Sequence, residues 1–163
     1  MLIATCLLDA RRRDVQRQLV RWPWLAPVNR AMFALHAVSD RLPIPMGWTS
    51  RMSGITNDPA LTRSIARDRL AGGTWMPGRW VRTYMSAAPA ADPGDFDVCP
   101  VVLAHPADDR WTSPELSEPF LTSMEKVPTR LVLLERAGHF PVEEPGREQL
   151  DDLLVTSLRQ IVA

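Results

Sequence analysis

The sequence predicts an α/β fold in which parallel strands alternate with helices. Residues 2–8 and 98–105 are continuous apolar runs, as expected of strands that are covered on both faces in a parallel sheet. A further strand-like run at 129–135 is followed by a helical pattern near the C-terminus. Strand, helix, strand and helix in this order imply parallel pairing with right-handed crossovers.

Start signals locate the two helices of the C-terminal part. Ser113 is a favoured N-cap residue, and Pro114 suits the first helical position. Apolar residues recur at helical spacing in the last helix, at Leu150, Leu153, Leu154, Leu158 and Ile161. Pro100 lies near the start of the strand at 98–105, where its missing N–H does least damage.

Residues 10–95 are predicted to be helical and irregular. One helix carries an apolar stripe and ends between Asp40 and Pro45; the stripe comprises Val28, Ala31, Met32, Leu35 and Val38. A second helix starts at residues 57–59, with Asn57 as the cap and Pro59 in the first turn. A third runs from residue 78 to residue 85, and a turn-rich connector follows at 87–94.

Composition and charge exclude several classes of protein. Hydrophobic residues make up 45% of the 163 residues, which argues against global disorder. Net charge is zero, but residues 1–91 carry +8 and residues 92–163 carry −8. The two segments either compensate each other or the basic one approaches an anionic surface or substrate. No nucleic-acid partner is predicted, because the arginines form no long run.

Cysteine usage and hydropathy predict a reducing, cytoplasmic location. Cys6 and Cys99 each lie inside an apolar run and are predicted to be small buried residues. They form no disulfide framework, and no Cys/His cluster has metal-ligand spacing, so neither a metal nor a cofactor is predicted. No stretch is long enough for a transmembrane segment.

Titratable side chains follow two neighbouring strands of the predicted sheet. Asp108 and Asp109 come shortly after the strand at 98–105, and His139 follows the strand at 129–135. Catalytic groups of open α/β sheets collect beyond the carboxyl ends of the strands. A carboxylate beside an imidazole fixes the imidazole tautomer and stabilises its protonated form, so the pair predicts a general base.

These motifs resemble a known family. The stretches H-P-A-D-D-R-W-T-S-P (105–114) and A-G-H-F-P-V-E-E-P (137–145) are similar to the closing module of α/β-hydrolases, and in particular of lysophospholipase or monoacylglycerol-lipase-like serine esterases. The family's acid falls three residues after a glycine; here Pro106 stands in its place, which implies Asp109 and leaves Asp108 as the weaker candidate. The family's histidine corresponds to His139.

The resemblance also implies a division of the chain. Residues 1–9 would be a strand of the hydrolase core, 10–95 a helical lid, and 96–163 the C-terminal core with the acid and the histidine. Five of six Trp and five of seven Met lie in the predicted lid. They suit either an apolar acyl pocket or the lid's own core.

Several residues have structural alternatives. Asp109 could only cap a helix or close a turn, and Glu143 and Glu144 are expected to interact with the N-terminal dipole of the last helix. His36 and His105 are predicted to be structural.

The nucleophile elbow of the family, G-x-S-x-G, does not occur in this sequence. Ser53, Ser123 and Ser157 lack its context, and the glycine-rich oxyanion loop is absent. We therefore expect little activity from the isolated chain. The sequence is either a fragment of a longer reading frame or a short product that folds with a partner. An exposed strand edge at residues 1–8 predicts self-association or pairing with a missing N-terminal half.

Three hypotheses for function follow. In the first, Asp109 orients His139 as general base for an absent serine, and the substrate is a small or lipid-like carboxylic ester. In the second, the same half serves an aspartate nucleophile, as in haloalkane dehalogenases or epoxide hydrolases. In the third, the chain is a non-catalytic binding or assembly module.

Overall fold

A computed structural model describes residues 1–22, 34 and 36–162 of the chain. The chain divides into two compact units. The sheet unit comprises Met1–Leu7, Gly54–Asp58 and Ala91–Ala163, and the helical unit comprises Leu8–Ser53 and Pro59–Ala90. The predicted stripe residues Val28, Ala31, Met32 and Leu35 lie outside the described residues.

The described elements are as follows. The strands are β1 (Leu2–Ala4), β2 (Pro43–Pro45), β3 (Trp75–Pro77), β4 (Val101–Pro106) and β5 (Thr129–Leu134). The helices are α1 (Arg13–Leu19), α2 (His36–Ser39), α3 (Met46–Thr49), α4 (Pro59–Arg67), α5 (Gly78–Met85), α6 (Pro114–Thr122) and α7 (Gly146–Val162). Short 3₁₀ turns cover Met52–Gly54 and Pro93–Asp95. Within the described part of the chain, no helix combines the length and the apolar character needed to cross a membrane.

The sheet unit contains a three-stranded parallel sheet in the order β1-β4-β5. All six residues of β4 are buried, because it is the central strand and helices cover both of its faces. On one face, Val101 and Leu103 pack against Leu121 of α6. On the other, Ala104 packs with Leu134, next to Leu150 of α7. The predicted α/β fold with parallel strands is thereby confirmed.

Strand β1 is shorter than the apolar run at 2–8 predicts. Its last pair in the register is Ala4 with Leu103, and the chain then leaves the sheet. The backbone N–H of Leu7 donates to the Ser117 hydroxyl at 3.3 Å instead of to β4, while the Leu7 side chain packs on the core of the sheet unit. Cys6, Leu7 and Leu8 are thus apolar because they are partly buried, although they form no strand; Thr5 is exposed.

Three predicted helix starts are confirmed, at Pro59, Gly78 and Pro114, and one predicted cap is wrong. Helix α6 begins at Pro114 with Ser113 at the N-cap position, although the Ser113 side chain makes no capping hydrogen bond. Helix α4 begins at Pro59, which is the first-turn proline predicted. Asn57 is not its cap: the Asn57 side-chain amide donates to the Asp108 carbonyl at 3.1 Å.

The helical unit contains a two-stranded antiparallel pair rich in proline, which the sequence did not predict. Pro43 faces Pro77, Ile44 faces Met76 and Pro45 faces Trp75. Backbone bonds flank the pair, from Gly78 N to Leu42 O and from Met46 N to Thr74 O, both at 2.9 Å. Hydrogen-bonded and non-hydrogen-bonded positions alternate in such a ladder, so the prolines fall where no N–H is needed.

Leu103 tests the central position of β4. Replacing this fully buried side chain by alanine leaves a cavity between the sheet and α6, and we expect Leu103→Ala to lower the free energy of unfolding by about 2–5 kcal/mol. Leu133→Ala is the matched control, because Leu133 is 49% exposed on β5. Urea unfolding measures both; equal losses in the two variants would contradict the central, buried position of β4.

Candidate functional site

The loops after β4 and β5 meet at one edge of the sheet unit. The N–H of Ala107 donates to Leu134 O at 2.9 Å, and the N–H of Asp108 donates to Ala137 O at 3.1 Å. These bonds continue the pairing of the two strands beyond their ends. They bring Asp109 and His139 side by side, as the parallel register requires.

The carboxylate of Asp109 and the imidazole of His139 form a direct contact. Asp109 Oδ2 lies 2.9 Å from His139 Nδ1; the Asp109 side chain is fully buried, whereas the His139 side chain is 20% exposed. The acid therefore accepts a hydrogen bond from Nδ1–H and holds the tautomer in which Nε2 carries the lone pair. Among the described residues, no hydrogen bond to Nε2 is found.

Asp109 also closes the turn that follows β4. Its Oδ1 accepts hydrogen bonds from the N–H groups of Trp111 and Thr112, both at 2.8 Å. Asp109 therefore has both contacts considered for it: Oδ1 closes the turn, and Oδ2 contacts the histidine. The two turn hydrogen bonds thus help to hold the carboxylate in its position beside the imidazole.

Thr112 is a third member of the contact that sequence reasoning missed. Its hydroxyl donates to Asp109 Oδ2 at 2.9 Å and lies 3.0 Å from His139 Nδ1. On its other side the hydroxyl is 3.5 Å from Cys6 Sγ. The signal in the sequence is a threonine three residues after the acid, close enough for its side chain to turn back onto the same loop.

Electrostatics keep the acid ionised. Burial raises the pKa of Asp109, but hydrogen bonds from His139 and from the N–H groups of Thr112 and Trp111 outweigh it, and the net pKa lies below the usual range. Since Asp109 is charged at neutral pH, it is able to stabilise a positive charge on the neighbouring imidazole.

His105 lies at the end of β4 and has a structural environment. It is fully buried, and its Nδ1 is 3.0 Å from the Pro106 carbonyl oxygen. Burial lowers the pKa of His105, so this imidazole is neutral at pH 7. Its Nε2 has no hydrogen-bond partner among the described residues. The side chain of His36 lies outside what the structure describes.

Two aromatic rings flank the imidazole of His139. The Trp111 ring centroid is 4.8 Å away with the planes tilted by 54°, and the Phe140 ring is 5.9 Å away and stacked. These contacts restrict rotation of the imidazole ring about its Cβ–Cγ bond.

Residues 54–58, placed in the predicted lid, belong to the sheet unit and contact both site loops. A side-chain Cβ at Gly54 would lie 3.0 Å from the backbone of Arg110, and one at Gly138 would lie 2.8 Å from Asn57 N. The N–H of Phe140 donates to Ile55 O at 2.8 Å. Glycine is needed at both close approaches, because any larger side chain would separate the backbones.

The other candidate residues do not join this contact. Asp108 is exposed and its carboxylate makes no hydrogen bond among the described residues, so Asp109 is the acid that reaches the histidine. Ser157 is buried in α7, and Ser123 follows the end of α6. Burial raises the pKa of the Cys6 thiol, which leaves it protonated and weakly nucleophilic. Cys6 and Cys99 are half-buried and free.

The aromatic and methionine residues of the helical unit range from buried to exposed. Met52 and Met76 are buried in its interior. Trp48, Trp75 and Trp80 expose about half or more of their side chains. Trp24 and Met32 lie outside the described residues. Across the described ranges, no three His, Cys, Asp or Glu side chains are grouped so as to hold a metal ion.

Comparisons with known proteins define the fold. The chain is similar to a soluble variant of monoglyceride lipase from Saccharomyces cerevisiae in complex with a substrate analogue, with a TM-score of 0.63 and 19% identity over 84% of this chain and 50% of that one. It is also similar to the monoacylglycerol lipase of Paleococcus ferrophilus, with a TM-score of 0.55 and 15% identity over 78% of this chain and 50% of that one.

The chain thus spans about half the length of these two lipases. No family model and no curated protein match its sequence. The likeness is one of structure, and the sheet with its flanking helices matches part of the α/β-hydrolase fold.

The ionised Asp109 is expected to contribute pH-dependent stability. Its folded pKa is lowered, so the contribution is fully present above the ordinary carboxyl pKa of about 4 and is lost as the pH falls through the lower folded value. Asp109→Asn should lower the free energy of unfolding by about 1–3 kcal/mol at pH 7, and this difference from the wild type should shrink below about pH 4.

Urea unfolding at several pH values between 7 and 3 measures this difference. The matched control is Asp108→Asn, which changes the adjacent exposed carboxylate and should alter stability by less than about 0.5 kcal/mol. A difference for Asp109→Asn that stays constant down to pH 3 would contradict the lowered pKa.

Proposed function

We propose that this chain supplies the acid and the histidine of a carboxylic-ester hydrolase. The observation that carries the proposal is the 2.9 Å contact between a fully buried Asp109 and a partly exposed His139. Asp109 orients His139, and His139 acts as general base for a serine that lies outside the printed sequence. The motifs around both residues and the fold shared with two lipases support this assignment.

The proposed reaction follows from the position of the proton on Nδ1. With Nδ1–H bonded to Asp109, Nε2 accepts the serine proton as the serine oxygen attacks the ester carbonyl. The ionised Asp109 stabilises the imidazolium that results. Nε2–H then protonates the leaving alcohol, and a water molecule repeats the sequence on the acyl-enzyme to release the acid.

The proposed substrate is a small or lipid-like ester. The two similar structures are named as lipases of monoglycerides or monoacylglycerols, which are esters of this class. The helical unit, proposed as the lid, carries exposed Trp48, Trp75 and Trp80, and such aromatic side chains suit an apolar acyl chain. We also propose that the protein is cytoplasmic.

The serine and the oxyanion donors are proposed to come from a further segment of polypeptide that pairs with the sheet unit. Strand β1 pairs with β4 on one side, and no strand pairs with its other side among the described residues. Met1 and Leu2 are more than 40% exposed at this edge. A parallel strand added there would satisfy the free N–H and C=O groups of β1.

The reading frame that contains this sequence provides the test. We expect an in-frame G-x-S-x-G upstream, and a protein expressed from that frame should hydrolyse p-nitrophenyl butyrate. Asp109→Asn should lower kcat by about 10⁴-fold and His139→Ala by about 10⁶-fold, whereas Asp108→Asn should stay within about twofold of the wild type. The exposed Asp108 is the matched control for the buried acid.

Labelling with a fluorophosphonate separates the remaining outcomes. A serine at the elbow should be labelled in the wild type and much more slowly in His139→Ala. An aspartate at the elbow, with no label, would replace the serine mechanism by that of an aspartate-nucleophile hydrolase. Hydrolysis that persists in His139→Ala would refute the proposed general base.

A further inference from the structure

We infer that Glu143 is a positioning residue for His139, through a two-pronged contact that we call the Glu143 clamp. Its Oε2 accepts a hydrogen bond from the N–H of Gly138 at 2.9 Å, and its Oε1 accepts one from the N–H of Asn57 at 2.6 Å. One carboxylate thus joins the histidine loop to the 54–58 segment. The inference rests on the proposed role of His139 as general base.

The chemistry of the clamp requires a carboxylate. Two backbone N–H donors converge on the two oxygens of one side chain, and an ionised acceptor makes shorter and stronger hydrogen bonds than a neutral one. A glutamine would offer one oxygen to one donor and turn its NH₂ group towards the other N–H. Gly138 completes the arrangement, since a Cβ there would lie 2.8 Å from Asn57 N.

The clamp acts on the backbone immediately before His139. Immediately after it, the N–H of Phe140 donates to Ile55 O at 2.8 Å, so both neighbours of the histidine are held by the same segment. The Asn57 side-chain amide also donates to Asp108 O at 3.1 Å, one residue before the acid. The 54–58 segment therefore fixes the spacing between the loops from which Asp109 and His139 project.

Glu144 provides a matched control on the neighbouring position. Its carboxylate is exposed, pairs with Arg147 and accepts a hydrogen bond from the N–H of Glu148 at 3.1 Å. It therefore serves the start of α7, the role that sequence reasoning gave to both glutamates. Among the described contacts it touches neither Gly138 nor Asn57. Glu143→Gln and Glu144→Gln remove the same charge from adjacent residues; the first removes the clamp, whereas the second weakens only the contacts with Arg147 and Glu148.

The test follows individual protons by NMR in the whole chain. In Glu143→Gln, we expect the amide protons of Gly138 and Asn57 to exchange about tenfold faster or more, since a charge-assisted hydrogen bond is lost. The Nδ1 proton of His139 should shift upfield and exchange faster, because the imidazole loses its fixed distance from Asp109. Glu144→Gln should accelerate the Glu148 amide and leave His139 unchanged.

Two results would overturn the inference. In the first, Glu143→Gln speeds amide exchange at Gly138 and Asn57 but leaves the chemical shift and exchange rate of the His139 Nδ1 proton unchanged. The clamp would then hold the loops together without positioning the histidine. The other is a Glu144→Gln variant that changes His139 as much. Should Glu143→Gln not fold, Glu143→Asp keeps the charge but reaches only one N–H; a His139 proton identical to that of the wild type would then refute the inference.

The result of this experiment does not depend on the result of the esterase test. The NMR readout needs no nucleophile and no substrate, so it reports on the position of His139 alone. Absence of esterase activity together with a clear effect of Glu143→Gln would count against the ester hydrolase and leave the positioning role standing.

Discussion

The site depends on one buried charge. An ionised carboxylate in the interior is costly unless hydrogen-bond donors surround it, and Asp109 receives four: two backbone N–H groups, the Thr112 hydroxyl and His139. Three of these come from the residues that follow it, so the loop after β4 closes around its own acid. The imidazole completes the set, and the histidine loop is thereby tied to the most buried strand of the sheet.

Local sequence was enough to predict the features that depend on local physics. Apolar runs identified β4 and β5, the Ser113-Pro114 pair located the start of α6, and the parallel order of strands brought Asp109 next to His139. The strands and the helix start follow from apolar runs and residue preferences within a few positions, whereas the choice of Asp109 over Asp108 came from the resemblance. The division of the chain into core and lid is a different matter: it came from the resemblance, and it stays a prediction.

The residues that were missed depend on contacts between distant parts of the chain. Glu143 meets Asn57 across 86 positions, and no periodicity signals such a pair. The antiparallel pair β2–β3 was missed because proline argues against a strand until the alternation of hydrogen-bonded positions is known. Asn57 looked like a cap because it precedes Pro59, yet the close approach permitted by Gly138 and the partner in the Asp108 loop give it another use.

The placement of residues 54–58 limits how the helical unit could be exchanged for that of another protein. The helical unit is interrupted by five residues that belong to the sheet unit, so its sequence enters the sheet unit and leaves it again before α4. An exchange of residues 10–95 as one cassette would therefore remove the backbone that Glu143 and Phe140 bind. A viable exchange has to be made in two pieces, before Gly54 and after Asp58, which leaves the histidine loop with its native support.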